Sequence, residues 1–138
     1  MNGAPVGYSG TPLAKKLGIE ENARVLVVNE PAGYRGWLAP LPAGVTFGDA
    51  ADPPLAFVHL FVTSKEELAK HVKRLRKQLA PGGVLWVSWP KKASGIETDV
   101  TEDTVREVSL PTGLVDVKVC AVSDIWSGLK LVIRLLNR

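Results

Sequence analysis

The sequence predicts one small α/β domain with a mixed sheet of about five to six strands, the last two of which form an antiparallel hairpin. Two short apolar runs without alternation, at residues 24–28 (RVLVV) and 55–62 (LAFVHLFV), are typical of parallel strands covered by helices on both faces. Apolar and polar residues alternate in residues 114–122 and again in residues 128–136, which is typical of antiparallel strands with one wetter face. The change of pattern along the chain predicts a sheet with both kinds of pairing.

Chain length and the pattern of apolar residues indicate the class of protein. The 138 residues have the size of one domain, residues 1–138, in which residues 1–10 are expected to form an extended N-terminal arm because they contain glycines and a proline without an apolar period. No apolar run approaches the roughly 18 residues that a membrane span needs, and the start lacks a signal-peptide pattern. We therefore expect a soluble, cytoplasmic protein without a membrane partner.

Charge and cysteine content argue against several kinds of site. The formal net charge of +3 can attract small anions but is too small an excess to indicate nucleic acid binding. The only cysteine, Cys120, excludes an internal disulfide and a multi-cysteine metal site, and we expect an inert thiol in a strand. Two isolated histidines without clustered carboxylates predict no metal site.

The first half of the chain has few local signals beyond its first strand. Thr11 is expected to cap a short helix with Pro12 in its first turn, and Gly18 is expected to end that helix. The segment 29–54 is rich in proline and glycine. Within it, only residues 45–47 resemble a strand and only residues 37–41 resemble a helical turn.

The clearest local signal is a helix after the second apolar run. Ser64, with Glu67 three residues later, is the pattern of a capping box at the start of a helix. One core-facing stripe follows at spacings of four, three and four residues: Leu68, Val72, Leu75 and Leu79. The Pro-Gly-Gly at 81–83 is expected to stop the helix before a third strand at residues 84–89, which makes a right-handed parallel unit. A further helix, capped at residue 99 or 101, is expected to run to about residue 110.

The register of the terminal hairpin is predicted from its charged residues. If residue numbers across the hairpin sum to 250, Asp116 lies opposite Arg134 and Cys120 lies opposite Lys130. A shift by one residue would separate these pairs, so the pairing is a sharp expectation.

The order of these elements resembles a known fold. A strand, a helix ending in leucine and Pro-Gly-Gly, a strand, a helix and a closing antiparallel hairpin, over residues 55–138, resemble the second half of the Rossmann-like S-adenosylmethionine methyltransferase fold. The segment LAPGGVLWVSWP is similar to the one that this family places at its fifth strand. The resemblance implies a small Rossmann-like, reduced methyltransferase-like domain.

A second resemblance spans nearly the whole chain. The segments GYSGTPLAKKLGI, LFVTS, WVSWPKKASG and TDVTED, with the LVDVKVCAV to WSGLKLV ending, resemble a bacterial family of uncharacterised proteins, the domain of unknown function 3052. This resemblance implies no established activity.

The chain departs from the methyltransferase pattern at the cofactor loop. In that family an acidic residue and a glycine-rich turn follow the first strand, whereas here Asn29 to Tyr34 supply one glycine, and Pro31 has no N–H to donate. Only 26 residues separate Val28 from Leu55, while two full crossovers would need at least roughly 10–12 residues each in addition to their strands. At least one helix and one strand of the usual first half are therefore expected to be absent or shortened.

The loop after the third predicted strand is the first candidate site, because open α/β sheets bind ligands at the carboxyl ends of their strands. Lys91 and Lys92 can hold a phosphate or carboxylate as point charges, and Trp89 offers an apolar wall. Ser94 and the backbone of Gly95 add hydrogen-bond donors. The alternative is an ordinary solvated loop that keeps the sheet edge soluble.

The loop after the first strand is expected to lie near the same edge. Asn29 could pair with a polar ligand edge, Tyr34 could stack on a ligand ring, and Glu30 lies between them. The alternative is turn chemistry, since asparagine, proline and glycine all form turns for backbone reasons. Trp126 and Lys130, in the hairpin, are secondary candidates whose alternative role is packing.

Two further sets of residues are interpreted as structural. His59 lies within a buried strand and is expected to be a neutral, hydrogen-bonded core residue. The basic face of the predicted helix, formed by Lys70, Lys73, Arg74 and Lys77, is typical of a solvated surface, because no aromatic residue is interleaved.

The sequence favours a non-catalytic module over an enzyme, because it contains a plausible site without a plausible reaction. Its ligand would be a small anionic or nucleotide-like molecule, or a protein partner, bound between Asn29–Tyr34 and Lys91–Gly95, without a cofactor. One alternative is an S-adenosylmethionine-dependent methyltransferase with an atypical cofactor loop. Another is an interaction module that binds polyanions or proteins through the basic helix. Homo-oligomerisation stays open.

Overall fold

The computed structural model describes residues 11–48 and 52–138, and these form a six-stranded mixed sheet with helices on both faces. The strands are β1 (Arg24–Val28), β2 (Thr46–Gly48), β3 (Leu55–Phe61), β4 (Leu79–Pro90), β5 (Leu114–Ala121) and β6 (Trp126–Ile133). The helices are α1 (Leu13–Leu17), α2 (Tyr34–Trp37), α3 (Lys65–Gln78) and α4 (Glu102–Ser109), with short 3₁₀ turns at Lys92–Ser94, Leu110–Thr112 and Leu135–Asn137. The predicted mixed α/β fold is confirmed. The arm expected for residues 1–10 lies outside the described residues.

The strand order is β2-β1-β3-β4-β6-β5. The first four strands in this order are parallel, and β6 runs antiparallel between β4 and β5. The chain leaves β1 towards β2 on one side and then returns to form β3 on the other side. This reversal is the topological switch point, and ligands of open α/β sheets bind outside the carboxyl ends of the strands there.

The two faces of the sheet are covered unequally. The predicted stripe of α3 packs with α4 on one face, where Leu68, Val72 and Leu75 are fully buried. The other face is covered by α1, α2 and the segment that follows α2. Trp86 of β4 anchors this second layer, because its indole N–H donates to the carbonyl of Leu17 at the end of α1, over 2.8 Å.

The starts of α3 and α4 are linked through a shared loop. Ser64 accepts a hydrogen bond from the backbone N–H of Glu67, as the capping pattern predicted, but the carboxylate of Glu67 faces Asn29. The Asp99 carboxylate accepts from the N–H of Lys65, so it caps α3. The cap of α4 is Thr101, which forms a capping box with Thr104.

Three predicted boundaries are wrong. Thr11 does not cap α1, because Pro12 holds the N-cap position without a side-chain bond. The helical turn expected at 37–41 is formed at Tyr34–Trp37 instead. Helix α3 ends before the Pro-Gly-Gly, because the chain already pairs with β3 from Leu79 onward, which places 81–83 inside β4.

The antiparallel hairpin is confirmed, but its predicted register is wrong. Asp116 lies opposite Leu131 and Cys120 lies opposite Gly128, rather than Arg134 and Lys130. Two features explain this: Arg106 of α4 binds Asp116 with an Nε–Oδ2 distance of 2.9 Å, and a bulge between Asp116 and Lys118 shifts the register by one residue.

None of the helices in the described ranges is long and apolar enough to cross a membrane.

Gly83 is required where β3 and β4 change register. A Cβ atom at this position would lie 2.7 Å from the carbonyl oxygen of Leu55, which is closer than such atoms approach. We expect Gly83→Ala to lower the free energy of unfolding by about 1–3 kcal/mol.

The neighbouring Gly82 offers a matched control, because no atom lies within 4 Å of its Cβ position. We expect Gly82→Ala to be neutral or to stabilise by roughly 0.4–1 kcal/mol. Urea unfolding of both variants measures the difference, and equal stabilities would contradict the steric role of Gly83.

Candidate functional site

Asn29 lies at the switch point between β1 and β3. It directly follows β1 with a φ of 61°, a left-handed conformation that asparagine tolerates better than most residues. Its side-chain amide donates to the carbonyl of Phe61 over 3.0 Å and to the carboxylate of Glu67 over 3.4 Å. Asn29 therefore ties the ends of β1 and β3 to the first turn of α3.

A shallow, open depression of about 500 Å³ lies beside Asn29, at the carboxyl ends of β1 and β2. Its lining residues are Val27, Asn29, Glu30, Arg35 and Gly48. Apolar backbone surface, an amide and two opposite charges thus meet at one place on the sheet edge.

The two charges of the depression hold each other. Arg35 donates from Nε and Nη2 to the two carboxylate oxygens of Glu30, over 3.1 and 3.3 Å. The guanidinium also lies 4.7 Å from the centre of the Phe47 ring, a cation–π contact. The Arg35 side chain is still 56% exposed, so an oriented guanidinium faces solvent.

A network of hydrogen bonds is buried between α2 and the sheet. The hydroxyl of Tyr34 and Nδ1 of His59 are 2.7 Å apart, and Nε2 of His59 and the hydroxyl of Ser88 are 2.8 Å apart. All three side chains are fully buried, and the His59 ring stacks on Phe61 with the ring centres 4.2 Å apart. The prediction that His59 is a hydrogen-bonded core residue is confirmed.

Burial keeps this network uncharged. It lowers the pKa of His59 to about 3, so the ring is neutral at physiological pH. Burial, with a smaller contribution from the charge of Glu30, raises the pKa of Tyr34 far above its ordinary value. Both groups are therefore neutral at physiological pH.

The Lys91–Gly95 loop uses much of its polar chemistry internally. The N–H of Lys91 donates to the carbonyl of Ile125, and the Ser94 hydroxyl donates to the carbonyl of Lys91, each over 2.7 Å. Lys92 and Gly95 are exposed, and Gly95 has a φ of 76°, which favours glycine. The two ammonium groups are the part of this loop most open to a ligand.

The two predicted segments share one sheet edge without forming one lining. Both follow the carboxyl ends of parallel strands, and both approach the end of β3: Asn29 bonds Phe61, while Thr98, beyond the basic loop, bonds the carbonyl of Thr63. In the described ranges, the depression is lined from the β1 side and by Gly48, and not by Lys91–Gly95.

The predicted aromatic contacts lie inside the protein. Tyr34, expected to stack on a ligand, is fully buried and packs edge-on against Phe61, because its hydroxyl is drawn to His59. Trp89 is also buried, in the core under α3 and α4. Trp126 is half-buried with its ring edge-on to Phe61, so it packs at the edge of the core.

Lys130 lies away from the carboxyl edge. It sits in the middle of β6, and its ammonium is 3.9 Å from the position that a Cβ would take at Gly18, at the end of α1. It therefore belongs to a different part of the surface from the depression.

Sequence reasoning missed Arg35 and the contact that orients it. Glu30 and Arg35 are five residues apart, which is not a spacing that pairs charges on a helix, and Phe47 comes from another strand. The hydrogen bond between Tyr34 and His59 was also missed, because the two residues are 25 positions apart. No periodic signal in segment 29–54 could have found these contacts.

Comparison with known proteins gives the fold class. No family model matches the sequence, and no curated protein matches it. Among solved structures, a SAM dependent methyltransferase from Aquifex aeolicus superposes with a TM-score of 0.61 at 15% identity, covering 86% of each chain. Fibrillarin from Aeropyrum pernix, in complex with natively bound S-adenosyl-L-methionine, gives a TM-score of 0.58 at 13% identity, over 88% of this chain and 69% of that chain.

A third similar structure is an S-adenosylmethionine-dependent methyltransferase from Clostridium acetobutylicum, with a TM-score of 0.57 at 8% identity, over 88% of this chain and 87% of that chain. The chain therefore has the Rossmann-like fold of S-adenosylmethionine-dependent methyltransferases. At these identities the likeness establishes the fold alone.

The free energy of unfolding is expected to fall as the pH is lowered from 7 to 5. The pKa of His59 is about 3 in the folded protein and near 6.5 when unfolded, so the unfolded chain gains a proton that the folded protein does not. The contribution of His59 to the free energy of unfolding is fully present above pH 6.5. Below pH 6.5 it decreases by about 1.4 kcal/mol per pH unit, which gives a loss of about 2 kcal/mol at pH 5. Urea unfolding at a series of pH values measures this slope.

The two histidines provide the control. His59→Gln is expected to abolish the slope between pH 7 and 5, whereas His71→Gln, on the surface of α3, should leave most of it. An unchanged slope in the His59 variant would show that another group is responsible.

Proposed function

We propose that this protein is a non-catalytic module of methyltransferase-like fold that binds a small anionic or nucleotide-like ligand in the depression beside Asn29. The observation that carries the proposal is the oriented guanidinium of Arg35 at the carboxyl ends of β1 and β2. Glu30 and Phe47 contact this group from two sides and leave the side chain more than half exposed. Because these contacts already restrict the Arg35 side chain, less side-chain entropy is lost when a ligand binds.

The ligand contacts follow from the lining. Arg35 would bind an anionic or acceptor group, Asn29 would contribute its amide, and Glu30 would accept from a hydroxyl or amine. We propose that Lys91 and Lys92, at the same sheet edge, attract the more remote anionic part of the ligand as mobile charges.

The packing around Gly33 supports a site that does not cradle S-adenosylmethionine. Gly33 is the one glycine between β1 and α2, and the indole nitrogen of Trp37 lies 3.2 Å from its Cβ position. A side chain of the protein itself therefore packs against this glycine. The buried, neutral states of Tyr34 and His59 also support a binding role rather than proton transfer.

The second candidate is an S-adenosylmethionine-dependent methyltransferase with an atypical cofactor loop. The superpositions favour it, since two of the similar structures are S-adenosylmethionine-dependent methyltransferases. We also propose that the chain belongs to the bacterial family of domain of unknown function 3052 and acts in the cytoplasm. The segments that resemble this family support the assignment.

Calorimetry separates the two functions. We expect adenosine monophosphate to bind the wild-type protein, and S-adenosylmethionine and S-adenosylhomocysteine to give no heat. Arg35→Gln should weaken binding about tenfold, the loss of one charge-assisted hydrogen bond. Arg24→Gln, which removes an exposed arginine at the opposite end of β1, should leave it unchanged.

Micromolar binding of S-adenosylmethionine, without detectable binding of adenosine monophosphate, would favour the methyltransferase function. No binding of any of the four nucleotides and nucleosides tested, adenosine included, would reject the nucleotide-like ligand. The double substitution Lys91→Ala and Lys92→Ala should weaken the binding of adenosine monophosphate and leave the binding of adenosine unchanged. Equal weakening of both would contradict an electrostatic role for this loop.

A further inference from the structure

Two lysines lie directly opposite each other on the terminal hairpin. Lys118 of β5 pairs with Lys130 of β6, and Lys130 pairs in turn with Trp86 of β4. Opposed residues of antiparallel strands project to the same face of a sheet, and the Trp86 ring packs in the core beneath α1. Both lysines therefore project from the face that α1 covers. Strands β3 and β4 separate Lys130 from β1, and β6 lies in addition between Lys118 and β1.

A β-bulge produces this juxtaposition. Before Val117 the strands pair with Asp116 opposite Leu131, and after it they pair with Lys118 opposite Lys130. If the earlier register had continued, Lys118 would lie opposite Leu129. Bulges re-aim side chains and are common beside functional sites. Here the bulge places two lysines directly opposite each other in the register.

Cys120 and a third lysine, Lys16, lie near the two facing lysines on the face that α1 covers. Cys120 lies two residues beyond Lys118, and burial raises the pKa of its thiol while the charges of Lys16 and Lys118 partly oppose this shift. The ammonium of Lys130 lies beside Gly18, at the end of the helix that carries Lys16. Lys16 and Lys118 therefore act on the Cys120 thiol, and Lys130 lies near the end of the helix that carries Lys16.

Among the described residues, no carboxylate forms an ion pair with either of the two facing lysines. The ion pairs found within the described ranges are made by Arg35, Lys65 and Arg106, and none includes Lys118 or Lys130. Like charges directly opposite each other destabilise a strand pair. An anion that bridges the two ammonium groups would remove that penalty.

We propose that the α1 face of the β5–β6 hairpin binds a phosphoryl oxyanion between Lys118 and Lys130, with Lys16 at its margin. Lysine ammonium groups are compact point charges that suit the rounded charge of a phosphate, whereas planar carboxylates are matched best by arginine forks. This site is independent of the depression and of any ligand bound there.

Inorganic pyrophosphate is the probe, titrated by calorimetry at low ionic strength. Wild-type protein is expected to bind it, and Lys118→Gln and Lys130→Gln are each expected to weaken binding at least fivefold. Lys70→Gln is the matched control, because Lys70 is exposed on α3 across the sheet. Absence of binding to the wild type, or an equal loss in the Lys70 variant, would overturn the proposal.

Two additional measurements separate a bound anion from general screening. Pyrophosphate should raise the melting temperature of the wild type and slow alkylation of Cys120 by iodoacetamide, and sodium chloride of equal ionic strength should do neither to the same extent. Without pyrophosphate, Lys118→Gln should melt at or above the wild-type temperature, because the like-charge contact is gone. Equal effects of the two salts, or a large loss of stability in that variant, would overturn the proposal.

Discussion

A buried hydrogen-bonded chain determines how one face of this sheet is covered. Tyr34, His59 and Ser88 come from α2, β3 and β4, and burying these polar groups is tolerable only because each finds a partner. Helix α2 has four residues and could not hold its place by its own backbone bonds. The hydrogen bonds among Tyr34, His59 and Ser88 therefore position α2, and with it the Glu30–Arg35 pair that borders the depression.

The sequence predicted the elements whose signals are local. The run at Arg24–Val28, the cap at Ser64 and the alternation of the hairpin depend on residues within one or two turns of each other, so periodicity and capping rules found them. The hairpin register was not predictable in this way. It depends on Arg106 holding Asp116 and on a bulge, and neither is encoded in the alternation itself.

The same distinction between local and distant signals applies to the candidate site. The sequence placed Asn29 and Glu30 at the carboxyl edge because they directly follow a strand. It did not find Arg35, because segment 29–54 has no period and the orientation of this arginine comes from Phe47 of another strand. Tyr34 was assigned to the surface because its partner, His59, is 25 residues away and the buried bond between them leaves no pattern in the chain.

The short helices on the α1 face have a consequence for motion. Helices of five and four residues do not persist alone, so α1 and α2 are ordered only while docked on the sheet, whereas α3, with 14 residues, carries a capped and continuous apolar stripe. The two faces should therefore open at different free energies, and amide protons of α1 and α2 should exchange with solvent well before those of α3. The layer that carries the Arg35 guanidinium is then also the layer that can detach without unfolding the sheet.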